Sequence, residues 1–281
     1  MKFAFIDVGE LGWSMYVNAH IRWHRRNTNP DSVAVITYPD RRCLYGALAD
    51  IIINVPKRFY EVFDARRQNC LGLQKINPEM LRKFFLPYVP KDHSVPSDFI
   101  LGCRYHFGNR LAFEPYLYSK NLEGKCEILI FPRCRTGGWY SFRNLPEAFY
   151  AQLIKKLCDE FPQLTIRTVG TAEGAYALGI EKKNYVNSVG KNDTLQDMID
   201  RCQSAVATVG SQSAPPKIAL LQGVPTFMIG HQKQRHMQKE NWMGTSMEFY
   251  RVPGTDYANI DIADCIEKAV AFVKSNKREI A

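Results

Sequence analysis

Residues Ser204–Gly230 read SAVATVGSQSAPPKIALLQGVPTFMIG, and this stretch decides the fold. An apolar, β-rich run from Ala205 to Val209 ends at Gly210 and is followed by the polar turn Ser211-Gln212-Ser213. Pro215 and Pro216 suit the first turn of a helix, where a missing N–H is no loss. That helix continues through Lys217 to Gln222 and stops at Gly223, and a strand from Pro225 to Ile229 follows. Strand, tight turn, helix and strand in this order aim a helix N-terminus at the carboxyl end of a parallel sheet. Free amides and the positive end of the helix dipole favour an anion there.

The rest of the chain agrees with an α/β reading. Strand patterns alternate with helix patterns: strands at 3–8, 33–38, 51–55, 99–103, 128–131, 165–169 and 185–188, and helices at 13–26, 44–49, 78–85, 146–160, 172–178, 194–202 and 260–275. Such alternation predicts parallel sheets covered by helices. The helix at 194–202 is expected to be capped by Asp193 or Thr194. The region between Gly230 and Ile260 reads as a polar loop, and residues 118–125 read as a linker. The predicted architecture is two Rossmann-like domains, 1–122 and 123–281, facing across a cleft.

Composition sets the bounds. The chain has 281 residues, 46% of them hydrophobic and 23% charged, which is the profile of a folded protein with a real core. The formal charge is +9, with the basic excess leaning to the N-terminal half, and such a surface favours acidic partners. The eight cysteines form no CxxC pair and no zinc-type cluster, so a reducing, cytoplasmic setting is expected, with peripheral membrane contact allowed. The apolar runs fall short of the ~20 residues of a membrane span.

Three loops at predicted strand ends carry candidate chemistry. Gly9-Glu10-Leu11-Gly12 follows the first strand, and its carboxylate is placed to accept a proton from a hydroxyl nucleophile. The alternative is that Glu10 stabilises the helix behind it. Asp7, inside the strand, reads as the structural partner of a cation. The second loop follows residues 128–131 and holds Arg133, Arg135 and Arg143 around Gly137-Gly138; guanidinium forks match phosphate oxygens. The third is Gly210 to Lys217, where Ser211, Gln212 and Ser213 offer donors and Lys217 adds a cation. Gly170 and Glu173 form a further candidate near a ribose or sugar hydroxyl, and residues 231–242 read as a substrate-facing lid or a solvated surface.

Taken together, these loops resemble the GT-B glycosyltransferases, and especially the heptosyltransferase-like glycosyltransferase family 9. Gly9-Glu10-Leu11-Gly12-Trp13 stands where the family has Gly-Asp-x-x-His, so the resemblance gives Glu10 the role of base, with Trp13 in place of the histidine. Arg143-Asn144-Leu145-Pro146 stands for Lys-x-Trp-Pro and gives Arg143 the phosphate-binding role. Val209-Gly210-Ser211-Gln212-Ser213-Ala214-Pro215-Pro216-Lys217-Ile218-Ala219, leading to Gly223-Val224-Pro225-Thr226, keeps the spacing of the family's Val-Gly-x-Asp-(Ser/Thr)-Gly-x-x-His-x-Ala and Gly-x-Pro-Thr without a gap. Gln212, Ala214 and Lys217 replace the family's Asp, Gly and His.

The resemblance implies an inverting, metal-independent transfer from a nucleotide-diphosphate sugar to a hydroxyl of a glycan or glycolipid, as in polysaccharide biosynthesis, with no cofactor. Donor contacts are expected from Arg133, Arg143, Gly170, Glu173, Gly210, Ser211, Gln212, Ser213 and Lys217, and acceptor-side contacts from Gly9, Gly12, Trp13 and Arg41. Transfer onto DNA bases, as in phage enzymes, and a non-catalytic nucleotide- or glycan-binding protein are the alternatives. A dinucleotide oxidoreductase is disfavoured because the first strand lacks GxGxxG.

Overall fold

The structure is a computed structural model that describes residues 1–8, 11–55, 85–96, 99–100, 104–105, 126–136, 141–191, 194–231 and 246–276. The chain divides into two compact units, Met1–Phe113 and Glu114–Ala281. The break between them, like the predicted linker at 118–125, falls outside the described residues, as does all but the last residue of the predicted helix at 78–85.

The first unit is built on β1 (Lys2–Asp7), α1 (Leu11–Asn27), β2 (Ser32–Thr37) and β3 (Ile51–Asn54). The strands form a parallel sheet in the order β1-β2-β3, with Phe3 opposite Val33 and Ala34 opposite Ile51. On the other edge of β1, Ser94 forms a parallel bridge to Phe3, so the sheet continues past β1. Chain thus leaves β1 toward β2 on one side and returns beside it on the other. A 3-10 helix, Pro39–Leu44, and turns occupy the place of the predicted helix at 44–49. β4 (Phe99–Ile100) and β5 (Arg104–Tyr105) pair as a short antiparallel ribbon, shorter than the strand expected at 99–103.

Asp7 ends β1 and is buried. Its carboxylate accepts hydrogen bonds from Ser14 (3.0 Å), Thr37 (3.1 Å) and Tyr45 (2.7 Å), and Arg41 Nη1 lies 3.4 Å away. The reading of Asp7 as a structural partner for a cation matches this network. Arg41, expected on an acceptor-facing surface, is instead 4% exposed, bonded also to Ser14 and lying over the Tyr38 ring. Its charge neutralises a buried carboxylate, and removing one member of such a pair leaves the other uncompensated.

The second unit contains β6 (Glu127–Phe131), α2 (Glu147–Glu160), β7 (Thr165–Thr168), β8 (Tyr185–Asn187), α3 (Leu195–Ser204), β9 (Ala205–Ser211), α4 (Ala214–Leu221), β10 (Thr226–His231), β11 (Met247–Val252) and α5 (Ile262–Asn276). Its six strands are all parallel, in the order β11-β10-β9-β6-β7-β8. Numbered within the unit, that is the 3-2-1-4-5-6 order of a doubly wound Rossmann sheet. The core lies between the sheet and helices α2 and α5, around Ile128, Phe149, Leu153, Leu157, Phe227 and Phe272. A second cluster, with Leu129, Phe131, Cys202 and Ala219, fills the opposite face. Burial on both faces explains why β6 and β9 read as continuous apolar runs.

Local signals set the element ends. Thr194 caps α3 in a reciprocal capping box with Asp197. Gly223 takes a left-handed φ of 68° just after α4, where the sequence marked a stop. β9 runs two residues beyond Val209, so Gly210 and Ser211 are strand rather than turn. No helix forms at 172–178; the segment turns at 172–174 and bridges back to Arg133 through Ala175. A Cβ at Gly170 would come within 2.4 Å of the Ala175 Cβ, so this glycine is required by close packing. β11 was not expected from the sequence.

Among the described residues no helix is long and apolar enough to cross a membrane.

Candidate nucleotide-binding site

In a doubly wound sheet, ligands collect outside the carboxyl ends of the strands where the chain order reverses. In the second unit that point lies between β6 and β9. From β6 the chain moves outward to α2 and β7, and from β9 it moves the other way to α4 and β10. Two of the three loops singled out from sequence leave these two strands.

The loop after β6 carries the positive charge. Arg133 is largely withdrawn from water, and its guanidinium is pushed down to about 10, first by burial and then by the charges of Arg143 and Arg135. Three cations therefore share one small region. Arg143 ends a 3-10 turn, Ser141–Arg143, and sits 5.8 Å over the Phe142 ring. Tyr257, fully buried, borders the cluster: Arg143 and Arg133 act on its phenol electrostatically, and its hydroxyl accepts from the His231 N–H at 3.0 Å, at the end of β10.

Asn144 ties the loop together. Its Oδ1 accepts from Arg133 Nη1 and from the Arg135 N–H (3.0 Å), and its Nδ2 donates to the Arg135 carbonyl (2.9 Å). The loop after β7 is fastened alongside, with Cys134 N–H donating to the Gly174 carbonyl and Tyr176 N–H to the Pro132 carbonyl. Glu173 is thereby brought, exposed, to the same end of the sheet, on the turn that Gly170 allows.

The residues after β9 play more varied parts than their sequence suggested. Ser211 is fully buried, its hydroxyl beside the equally buried Tyr150 hydroxyl. Burial raises the Tyr150 phenol strongly, so it stays protonated. Gln212 is 5% exposed, and its backbone N–H donates to the Ile229 carbonyl at 2.7 Å. Its side chain packs against Gly230, where an added Cβ would lie 3.1 Å from the Gln212 Oε1. Gly210 admits the close passage of Phe131 and Pro216, each 3.0 Å from a Cβ built there. Ser213 is the N-cap of α4, but its hydroxyl donates to the Ser211 carbonyl (3.0 Å) rather than capping. Lys217 is half-buried on the first turn of α4.

The α4 terminus offers fewer amides than expected. With Ser213 as N-cap, Pro215 and Pro216 fall at the second and third helical positions, two of those whose N–H groups have no partner inside the helix. Ala214 supplies the remaining first-turn amide. The helix dipole remains, and the arginine cluster supplies positive charge at this end of the sheet.

The structure therefore brings Arg133, Arg143, Gly170, Glu173, Gly210 and Ser213 to the carboxyl end of one sheet, with Ser211 and Gln212 buried in its support. Glu10 and Gly9 lie outside the described residues, as do residues 232–245 of the expected lid; Gly12 and Trp13 fall in the first turn of α1, their side chains outside the described residues. Sequence reasoning missed Asn144, Tyr150 and Tyr257. Asn144 alone had a local signal, since Asn side chains bond readily to nearby backbone at helix approaches.

No family model matches the chain, and no curated protein matches its sequence. Solved structures do match. The Escherichia coli ADP-heptose lipopolysaccharide heptosyltransferase II is similar at 14% identity with a TM-score of 0.61, covering 98% of this chain and 99% of that one. A glycosyltransferase family 9 protein from Veillonella parvula is similar at 10% identity and 0.61, covering 98% and 97%. The chain has a heptosyltransferase-like GT-B fold. The E. coli heptosyltransferase WaaC, solved with ADP, is similar at 9% identity and 0.56, covering 99% of each chain. These likenesses bear out the two Rossmann-like domains read from the sequence.

Proposed function

We propose that this protein is a glycosyltransferase that moves a sugar from a nucleotide-diphosphate donor to a hydroxyl acceptor of a glycan or glycolipid, with inversion and without a metal. The observation that carries the reading is the Arg133–Arg135–Arg143 cluster at the β6/β9 switch point of a heptosyltransferase-like fold. That the WaaC neighbour was solved with ADP, and again with ADP-2-deoxy-2-fluoro heptose, supports a nucleotide-sugar for this site.

In the proposed reaction the acceptor oxygen bonds to the anomeric carbon as the bond from that carbon to the diphosphate oxygen breaks. The electron pair leaves on the diphosphate, and the acceptor proton passes to Glu10, the base drawn from the sequence. Negative charge grows on the leaving diphosphate, and fixed cations in a sheltered site stabilise it most at that moment. The guanidinium of Arg133 suits this role because burial has already removed much of its hydration.

The test is a thermal-shift panel of nucleoside diphosphates and nucleotide-sugars. Stabilisation by one base class, weakened in Arg143→Ala, supports the reading; a flat response across the panel refutes it. Glu10→Gln then separates transferase from binding protein: it should abolish sugar transfer while leaving nucleoside diphosphate binding intact.

A further inference from the structure

Asn144 stands between two elements that electrostatics alone would separate. Arg133 and Arg143 repel each other across a region sheltered from water, and Arg135 adds to the repulsion. A guanidinium in that position gains by swinging out to solvent, where both its hydration and its distance from like charge increase. Among the described residues, the Asn144 side chain opposes this. The Asn144 carboxamide closes a two-point bond on the Arg135 backbone and accepts from the Arg133 guanidinium through the same oxygen. Asn144 also follows Arg143 directly, just before Pro146 and the start of α2. The 3-10 turn that ends at Arg143 is closed by the Asn144 N–H donating to the Ser141 carbonyl at 2.9 Å. One residue therefore fixes the Arg133 side chain, the Arg135 backbone and the chain position of Arg143.

We propose that Asn144 is a positioning residue, holding the Arg133 guanidinium in the cluster it shares with Arg143 for contact with a diphosphate. The inference rests on the donor-site reading above and adds to it. The cost of confining like charges is met when the protein folds, so it is absent when the anion arrives, and rigid presentation of the cations raises affinity. Neither a solvent-exposed Asn nor a simple turn-former would act through Arg133 in this way.

The experiment is isothermal titration calorimetry of the full chain with inorganic pyrophosphate, ADP and UDP, in a double-mutant cycle of Asn144→Ala and Arg133→Met. Asn144→Ala should weaken pyrophosphate binding at least fivefold on the native background and have little further effect on Arg133→Met, because its action passes through that guanidinium. Equal weakening on both backgrounds would show a scaffold that acts independently of Arg133, and unchanged affinity would show no role; either overturns the proposal. If Asn144→Ala does not fold, Asn144→Asp keeps the accepting oxygens and adds a counter-charge beside Arg133. It should weaken pyrophosphate at least tenfold, and native-like affinity overturns the proposal. A native protein that binds none of the three probes removes the donor-site reading itself and this inference with it, whereas native binding that Asn144→Ala leaves intact removes this inference alone.

Discussion

Arg133→Met should move stability and ligand affinity in opposite directions. In the free protein the Arg133 guanidinium is held down to about 10, from a value ordinarily above 12, by burial and by two like charges. Each pKa unit corresponds to about 1.4 kcal/mol, so the charged form costs the free fold about 3 kcal/mol at most. The sign follows from linkage. Because the folded-state value lies below the unfolded one, the unfolded chain binds the proton more tightly, and the cost is fully present at neutral pH. It fades only as pH rises past about 10. Methionine keeps most of the stem and removes the charge. It also gives up the charge-assisted hydrogen bond to Asn144, worth about 1.5–3 kcal/mol. The net expectation is a free protein more stable by up to about 1.5 kcal/mol, or up to about 6 °C in Tm for a domain of this size. With ADP or UDP present the order should reverse, since a charge-assisted contact worth about 1.5–3 kcal/mol is lost. Differential scanning calorimetry with and without nucleotide measures both arms. A variant less stable alone, with native nucleotide stabilisation, would refute the account of Arg133 as a strained, anion-binding charge.

Other perturbations probe the frame around the site. Gly170→Ala should destabilise by about 1–3 kcal/mol in urea denaturation, because the new methyl meets Ala175 at 2.4 Å and prises the β7 loop from the arginine loop. Arg41→Met should cost about 3–5 kcal/mol, leaving Asp7 buried without its counter-charge; a loss under 1 kcal/mol would show that Ser14, Thr37 and Tyr45 suffice. Thr194→Ala removes the side chain that accepts the Asp197 N–H and should cost about 1 kcal/mol by chemical denaturation, with nucleotide affinity unchanged.

The elements most legible in the sequence were those whose signals are local. The segment β9–α4–β10 is two apolar runs around a short helix, bounded by prolines and Gly223, and each boundary has a steric cause. β11 escaped because Glu248 and Arg251 interrupt its apolar residues, as an edge strand allows where a central one does not. The segment at 172–178 was misread because its conformation is set by the antiparallel bridge of Ala175 to Arg133, forty-two positions back in the chain. The site shows the same division. The arginines were visible as charges in a loop, but Tyr257 reaches them only through the packing of its turn against the Arg143 turn, and nothing near it in the sequence says so. Arg41 was read as an acceptor-side contact, and its burial against Asp7 was not visible because Asp7 lies thirty-four positions away.

The consecutive prolines of α4 bear on how this protein's selectivity could diverge. Main-chain amides are the same in every sequence, so a cradle built from them resists drift by substitution. Here two of those groups are missing, and in the proposed donor site the work falls to guanidinium side chains, each of which a single codon change can shorten, neutralise or relocate. Ligand preference in such a lineage is therefore open to retuning by exchange of side chains on a scaffold that need not move.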